Sequence, residues 1–167
     1  PELVLSINSV GSMCEELPPG SIGVAADVLD LAERPWTFYD DHATHADRTS
    51  CFNSGASEVC AKALEDTQGQ VASGLVVAQC VGPQFETPSE IDALERLGAD
   101  VVGMTLGPES RLVAERGILH VALVCSSNWA AGRTPGSPEA EIDHDTVDAM
   151  AATMRESVGE CVKALLS

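Results

Sequence analysis

Short apolar runs alternate with small polar clusters along this chain, and five of the runs have the length and composition of buried strands. They span residues 3–7, 22–26, 71–81, 99–104 and 119–125. Nearly every position of the third run is apolar, which is typical of a central strand covered on both faces. The first run ends at residues 8–12, where the sequence Asn-Ser-Val-Gly-Ser predicts a turn.

The segments between the strands carry helix signals. Ser54 predicts a cap for a helix that runs to about Asp66. Thr87 and Glu90 have the spacing of a capping box, and Pro88 occupies the first helical position between them. This second helix is expected to stop near residue 98, where a glycine follows the periodic stretch.

A continuous apolar stripe near the end of the chain predicts one long amphipathic helix that docks on the sheet. Its spacings are three and four residues, and it consists of Val147, Met150, Met154, Val158, Cys161 and Leu165. With a further helix predicted over residues 107–117, strands and helices alternate along the chain. We therefore expect residues 1–167 to form a single α/β domain with a mixed, largely parallel sheet flanked by helices.

Composition narrows the classes of function. The chain has 9 Lys and Arg against 26 Asp and Glu, a formal net charge of −17. Such a surface repels phosphate backbones, so we expect no nucleic-acid partner. No apolar run is long enough to cross a bilayer, so we expect no membrane association. The six cysteines lack metal-ligand spacing, which predicts reduced thiols, no metal site and a cytoplasmic protein.

Polar and aromatic side chains follow four of the predicted strands, at residues 8–11, 82–87, 104–105 and 126–128. Ligands of α/β sheets bind beyond the carboxyl ends of the strands, so these clusters are expected to share one crevice. Phe85 offers a ring for stacking, Glu86 an acceptor for ring N–H groups, and Asn128 an amide that both donates and accepts. This chemistry suits a purine nucleoside. Taken alone, Phe85 would more often be a core residue and Glu86 a solvated charge, and Asn128 could simply cap a turn.

The same clusters carry a family resemblance. Residues 82–87 with Glu90 resemble the G-P-x-F-E-T-x-x-E signature of the purine nucleoside and methylthioadenosine phosphorylase family. Residues 98–109 are similar to its G-A-D-x-V-G-M-[ST]-x-x-P-E motif, and residues 127–132 to its T-N-x-A-A-G motif. Residues 8–12 resemble its T-N-A-x-G-G turn. The loop with Arg34-Pro35 and residues 38–40 resembles the methylthioadenosine branch.

The resemblance implies phosphorolysis, in which phosphate attacks the anomeric carbon of a nucleoside while the purine leaves. Phosphate is then a co-substrate, and no cofactor is expected. By motif position, Phe85 would stack on the base, Glu86 would bind its N–H edge, and Asn128 would be the catalytic residue that stabilises the leaving purine. Met104 would lie under the ribose.

The remaining implied roles concern phosphate and neighbouring subunits. Thr105 and the backbone N–H of Ser9 would face phosphate. Family members form trimers, so we expect a homotrimer or a multiple of one, and His42 or His45 would reach the pocket of a neighbouring subunit. A neutral amide at position 128 favours 6-oxopurines, whereas the loop resembles the methylthio branch. Inosine, guanosine and 5′-methylthioinosine are therefore the favoured substrates.

Family members extend further at the N-terminus, so the chain is expected to be the C-terminal portion of a nucleoside phosphorylase-like fold with its N-terminal part absent. In the family, that stretch carries a phosphate loop and Arg and His ligands for phosphate. An N-terminal segment or a separate N-terminal chain would then complete the site. Two alternatives remain open at this point: a non-catalytic nucleoside-binding or structural subunit, and a nucleoside hydrolase.

Overall fold

A computed structural model describes residues 1–31 and 36–167. Arg34 and Pro35, which contributed to the resemblance of the loop, lie outside the described residues. The described strands are β1 (Leu3–Ser12), β2 (Ile22–Asp30), β3 (Ser73–Gln79), β4 (Val101–Gly103) and β5 (Leu119–Trp129). The helices are α1 (Ser54–Gln68), α2 (Pro88–Arg96), α3 (Leu106–Glu115), α4 (His144–Thr153) and α5 (Arg155–Leu166).

The five strands close into a barrel in the order β1-β4-β3-β2-β5. Three neighbouring pairs are parallel, namely β1 with β5, β2 with β3, and β3 with β4. The pairs β1–β4 and β2–β5 are antiparallel. The predicted α/β class with a mixed, largely parallel sheet is confirmed, and closure of the sheet is a feature that the sequence pattern did not indicate.

Strands β1 and β5 run past the ends predicted for them. Their parallel register extends from Leu3 opposite Leu119 to Ser12 opposite Trp129, with an irregularity between Val10 and Gly11. The turn predicted over residues 8–12 was therefore wrong. The small polar residues there continue the strand because β5 runs beside them and supplies hydrogen-bonding partners as far as Ser12.

The helix starts show how local sequence sets boundaries. Thr87 and Glu90 form the predicted capping box, with each side chain bonded to the other residue's backbone N–H. Helix α1 is capped one residue earlier than expected. Asn53, rather than Ser54, has the extended backbone of a cap, and its Oδ1 accepts from the N–H of Ala56 at 2.9 Å.

The last predicted helix is two helices, because the chain breaks between α4 and α5 at Met154. The apolar stripe nevertheless faces the interior on both sides of the break. Met154 and Cys161 are buried in one cluster with Leu123 of β5 and Leu64 of α1. The stripe thus fastens both helices to the layer of β5 and α1.

None of the helices within the described residues combines the length and the apolar character needed to cross a membrane.

Candidate functional site

A cavity of about 460 Å³ opens where β1, β4 and β5 end and where the segment after β3 passes over them. Six of the residues singled out from the sequence line it together: Ser9, Phe85, Glu86, Met104, Thr105 and Asn128. The four strand-end clusters therefore meet at one place, as the expected crevice requires. The cavity has room for a ligand of the size of a nucleoside.

Asn128 lies near the end of β5, and hydrogen bonds within the described chain hold its amide. Its Oδ1 accepts from the hydroxyl of Ser127 at 2.9 Å, and its Nδ2 donates to the carbonyl of Trp129 at 2.8 Å. One N–H of Nδ2 and one lone pair of Oδ1 are left for a ligand. A Cβ at Gly11 would stand 3.2 Å from Nδ2, so the glycine leaves space for the amide.

Glu86 is the single carboxylate among the described residues that line the cavity. Burial, and then the nearby charge of Glu86, raise the pKa of the Cys80 thiol to about 12. The thiol beside the carboxylate is therefore neutral at physiological pH. No lysine or arginine of the described chain forms an ion pair with Glu86, so its carboxylate is available to accept from an N–H group of a ligand.

Phe85 and Met104 give the cavity its apolar surface. The Phe85 side chain is 41% exposed, so a ring face at the rim can receive a planar ligand. Met104 packs against Gly82, where a Cβ would stand 2.5 Å from the Met104 sulfur. Gly82 also has a φ of +67°, which a side chain disfavours. The glycine thus fixes both the turn after β3 and the position of the thioether.

Thr105 and Ser9, the two residues expected at the phosphate, both have hydroxyls that are bonded to neighbouring side chains. Thr105, which precedes α3, donates to the buried Oδ1 of Asn8 at 2.6 Å. Ser9 donates to Ser127 at 2.8 Å. Of the described residues that line the cavity, none is a lysine or an arginine. The described residues of the cavity therefore offer hydrogen-bonding groups for a neutral ligand but no fixed positive charge for an anion.

Arg133 links the segment after β5 to helix α2. It follows β5 in sequence, and its Nη2 lies 2.7 Å from a carboxylate oxygen of Asp92 and 2.8 Å from one of Glu95. Both carboxylates belong to α2, the helix that begins directly after Phe85 and Glu86. The planar guanidinium can bond both carboxylates at once, which sets the distance between α2 and the end of β5.

The sequence profile of the Phosphorylase superfamily matches residues 1–167. The chain belongs to the phosphorylase superfamily. The family resemblance read from the motifs is thereby confirmed.

Two relatives give the superfamily assignment more detail. A probable S-methyl-5′-thioinosine phosphorylase of Methanopyrus kandleri is 40% identical over 131 residues, covering 77% of this chain and 51% of the relative. A probable 6-oxopurine nucleoside phosphorylase of Moorella thermoacetica is 35% identical over 144 residues, covering 83% of this chain and 55% of the relative. The chain spans about half the length of these curated relatives.

A solved structure shares the fold of this chain. Methylthioadenosine phosphorylase from Schistosoma mansoni, solved in complex with adenine, superposes with a TM-score of 0.85. The superposition covers 99% of this chain and 66% of that chain at 21% identity. The likeness shows that the barrel and its helices share the fold of this solved structure.

Three lining residues escaped the sequence reasoning. Ile142, His144 and Val147 approach the cavity from the start of α4. The superfamily motifs that drew attention to the other residues end at Gly132, and the periodicity of α4 marked Val147 as a core position only. The path of the segment between β5 and α4 brings these side chains to the cavity. No local sequence pattern predicts that path.

His42 and His45 do not line the cavity of their own chain. Both are exposed, and Nδ1 of His42 lies 2.6 Å from a carboxylate oxygen of Asp41. Their expected role in the pocket of a neighbouring subunit stays a prediction.

Proposed function

We propose that this protein takes part in the phosphorolysis of purine nucleosides and that the described chain forms the nucleoside half of the site. One observation carries the proposal: the cavity gathers Phe85, Glu86, Met104 and Asn128 from three separate segments of the chain. A stacking ring, a carboxylate and an amide around an apolar floor suit a purine joined to a ribose. Membership of the superfamily and the names of the relatives support this proposal.

In the proposed reaction, the bond between the anomeric carbon and the purine nitrogen breaks while a phosphate oxygen bonds to that carbon. The electron pair of the broken bond moves to the purine. Asn128 would stabilise this charge because its free Nδ2 N–H can donate to an acceptor on the purine. Glu86 would accept from a ring N–H, and Phe85 would hold the plane of the base. Asn128 is the catalytic residue in this scheme.

A neutral amide at position 128 favours a 6-oxopurine as the base. The two relatives named above are designated for methylthioinosine and for 6-oxopurine nucleosides. The base of each of these nucleosides carries an oxygen on C6. For the 5′ end of the nucleoside, we assign Ile142, His144 and Val147, which add one ionisable ring and two apolar side chains to the cavity. Inosine, guanosine and 5′-methylthioinosine are the substrates to test first.

Phosphate binding requires groups beyond those that the cavity contains. Thr105 and Ser9 lie at the cavity, but no cation of the described lining residues accompanies them. We propose that the chain is the C-terminal portion of a nucleoside phosphorylase-like fold, completed by an N-terminal segment or a partner chain that supplies positive charge. Assembly into a homotrimer, with His42 or His45 at a neighbouring pocket, and a cytoplasmic role in purine salvage belong to the same proposal.

The activity is tested by incubating the protein with inosine or 5′-methylthioinosine, with and without phosphate, and measuring the free purine. The assay is run on the chain alone and on a longer polypeptide that contains it. Phosphate-dependent release by the longer polypeptide is the expected result. No release by either form would contradict the proposal, and release without phosphate would indicate a hydrolase instead.

A second candidate function is nucleoside binding without catalysis. The absence of lysine and arginine among the described residues that line the cavity favours it. Thr105 donates its one proton to Asn8 at 2.6 Å, so the hydroxyl has to turn before it can donate to an anion. Calorimetry separates the two candidates. Binding of inosine with no turnover, even in the longer polypeptide with phosphate, would support the binding module.

A further inference from the structure

Two hydroxyls on neighbouring strands lead to the amide of Asn128. Ser9 of β1 donates to Ser127 of β5 at 2.8 Å, and Ser127 donates to Oδ1 of Asn128 at 2.9 Å. The Ser127 hydroxyl has one proton, and its other acceptor in reach is the carbonyl of Val10 at 3.3 Å. The shorter bond favours the amide. Because Ser9 supplies the bond that Ser127 accepts, the proton of Ser127 is left for Asn128.

This relay and the backbone together fix which way the amide faces. Nδ2 donates to the carbonyl of Trp129 at 2.8 Å. A reversed amide would place Oδ1 against that carbonyl, so two acceptors would meet. In the observed orientation Oδ1 accepts a hydroxyl proton, which strengthens the remaining N–H as a donor, since hydrogen bonds in a chain polarise one another.

We propose that the Ser9 hydroxyl is a positioning residue that, through Ser127, sets the preference of Asn128 for 6-oxopurines over 6-aminopurines. The inference rests on the proposed function, because it assumes that Asn128 meets the purine. A C6 carbonyl accepts from the free N–H of Nδ2, whereas a C6 amino group would present a donor to a donor. Loss of the Ser9 hydroxyl lets the Ser127 proton turn to Val10. The amide then keeps only its bond to the Trp129 carbonyl, and its direction is held less firmly.

The side chain of Ser9 can be removed without removing its backbone N–H, the group assigned to phosphate. Ser9→Ala therefore isolates the hydroxyl, and Ser9→Thr restores it. Ser6 offers a matched control on the same strand: its Oγ lies 2.8 Å from Nε2 of His120, remote from Asn128. Ser6→Ala loses a cross-strand hydrogen bond of the same length and leaves the relay intact.

The experiment measures the affinities for inosine and for adenosine by calorimetry in the wild-type chain and the three variants. Ser9→Ala is expected to lower the ratio of inosine to adenosine affinity roughly three- to tenfold, the effect of one neutral hydrogen bond. Ser9→Thr is expected to restore the ratio, and Ser6→Ala to leave it unchanged. An unchanged ratio in Ser9→Ala would overturn the inference.

A second readout needs no ligand. The side-chain NH₂ of Asn128 gives two nitrogen-correlated NMR signals, and their interconversion reports rotation of the amide. Ser9→Ala is expected to speed that rotation severalfold, whereas an equal rate would refute the relay. If the wild-type chain binds neither nucleoside, the proposed function fails, and the rotation rate still decides whether Ser9 positions Asn128.

Discussion

The two ends of the β1–β5 pair use similar side chains for different purposes. At one end, Ser6 and His120 are 2.8 Å apart, and the ring of Phe52 closes over the histidine with centroids 5.0 Å apart. At the other end, the hydroxyls of Ser9 and Ser127 are also 2.8 Å apart, but their strands open on the cavity. At both ends a serine hydroxyl bonds to a side chain of the neighbouring strand. The Phe52 ring packs against His120 at the first end, whereas the cavity adjoins the bond at the second.

Comparison of the two ends shows which polar groups of the barrel remain available to a ligand. His120 is buried, and Nδ1 has no partner among the described residues. Because the imidazole is buried beside Phe52, we expect it to affect stability. Asn128 keeps one donor and one acceptor free because the cavity replaces the cover that Phe52 provides at the other end. The open end is therefore the proposed ligand site, and the closed end contributes to the stability of the fold.

The largest expected effect is at the closed end. Burial lowers the pKa of His120 from 6.5 to about 4, so the unfolded chain binds a proton in that range that the folded chain does not. Stability conferred by the neutral histidine therefore rises with pH between about 4 and 6.5, by roughly 3 kcal/mol in total, and is constant above that range. Urea unfolding at a series of pH values measures it.

The variant His120→Gln removes the titration but keeps a side chain that can bond Ser6. The unfolding free energy of the wild type relative to that of the variant is expected to rise between about pH 4 and pH 6.5 and to stay constant above that range. His45→Gln, at an exposed position, is the control, and its curve should parallel the wild-type curve. Parallel curves for His120→Gln as well would show that the buried imidazole is not what couples stability to pH.

At the open end, the largest expected effect comes from Phe85→Ala. Stacking of a base on an aromatic ring contributes about 1–3 kcal/mol, so the affinity for inosine should fall roughly ten- to hundredfold. The half-exposed ring contributes little to the core, so the thermal midpoint should barely move. Phe38→Ala, at a 57% exposed position outside the cavity, is the matched control. Equal inosine affinities for the two variants would show that Phe85 does not bind the base.

A smaller effect is expected from Arg133→Ala, which breaks the links to Asp92 and Glu95. Helix α2, which follows Phe85 and Glu86, would be held less firmly against the segment after β5, and a bridge at a partly exposed position contributes about 1 kcal/mol. Inosine affinity should fall about three- to fivefold in calorimetry. Arg133→Lys should recover only part of it because lysine lacks the planar fork. Arg155→Ala, at an exposed position, should bind like wild type.

The smallest expected effect concerns phosphate. Because the described lining residues include no lysine or arginine, phosphate should change the inosine affinity of this chain less than about twofold. Calorimetry at constant ionic strength, with sulfate and chloride as comparison anions, measures the change. A tenfold increase in inosine affinity with phosphate would mean that the open end already holds a competent anion site.

Sequence reasoning succeeded where the signal is local or where a motif is contiguous. The capping box of Thr87 and Glu90 placed the start of α2, and the motif segments around Phe85, Met104 and Asn128 pointed to side chains that line one cavity. It failed where distant strands decide the outcome. Residues 8–12 look like a turn until their register with β5 is known, and closure of the barrel depends on pairings that no single segment encodes.

The same reasoning explains the residues that were missed. His144 reaches the cavity only because the segment after Gly132 returns to it, and no spacing in the sequence predicts that path. The break at Met154 is also invisible to periodicity, since the apolar stripe continues in phase through it. Local propensity describes the elements well, but their mutual placement is a property of the whole fold.

The central claim is that the open end of the β1–β5 pair receives a purine nucleoside, and a crystal structure of the chain with saturating inosine tests it most directly. The expected result is density for the base against the Phe85 ring and within hydrogen-bonding distance of the Asn128 amide, with the ribose over Met104. An empty cavity at saturation, or inosine bound elsewhere on the chain, would contradict the account.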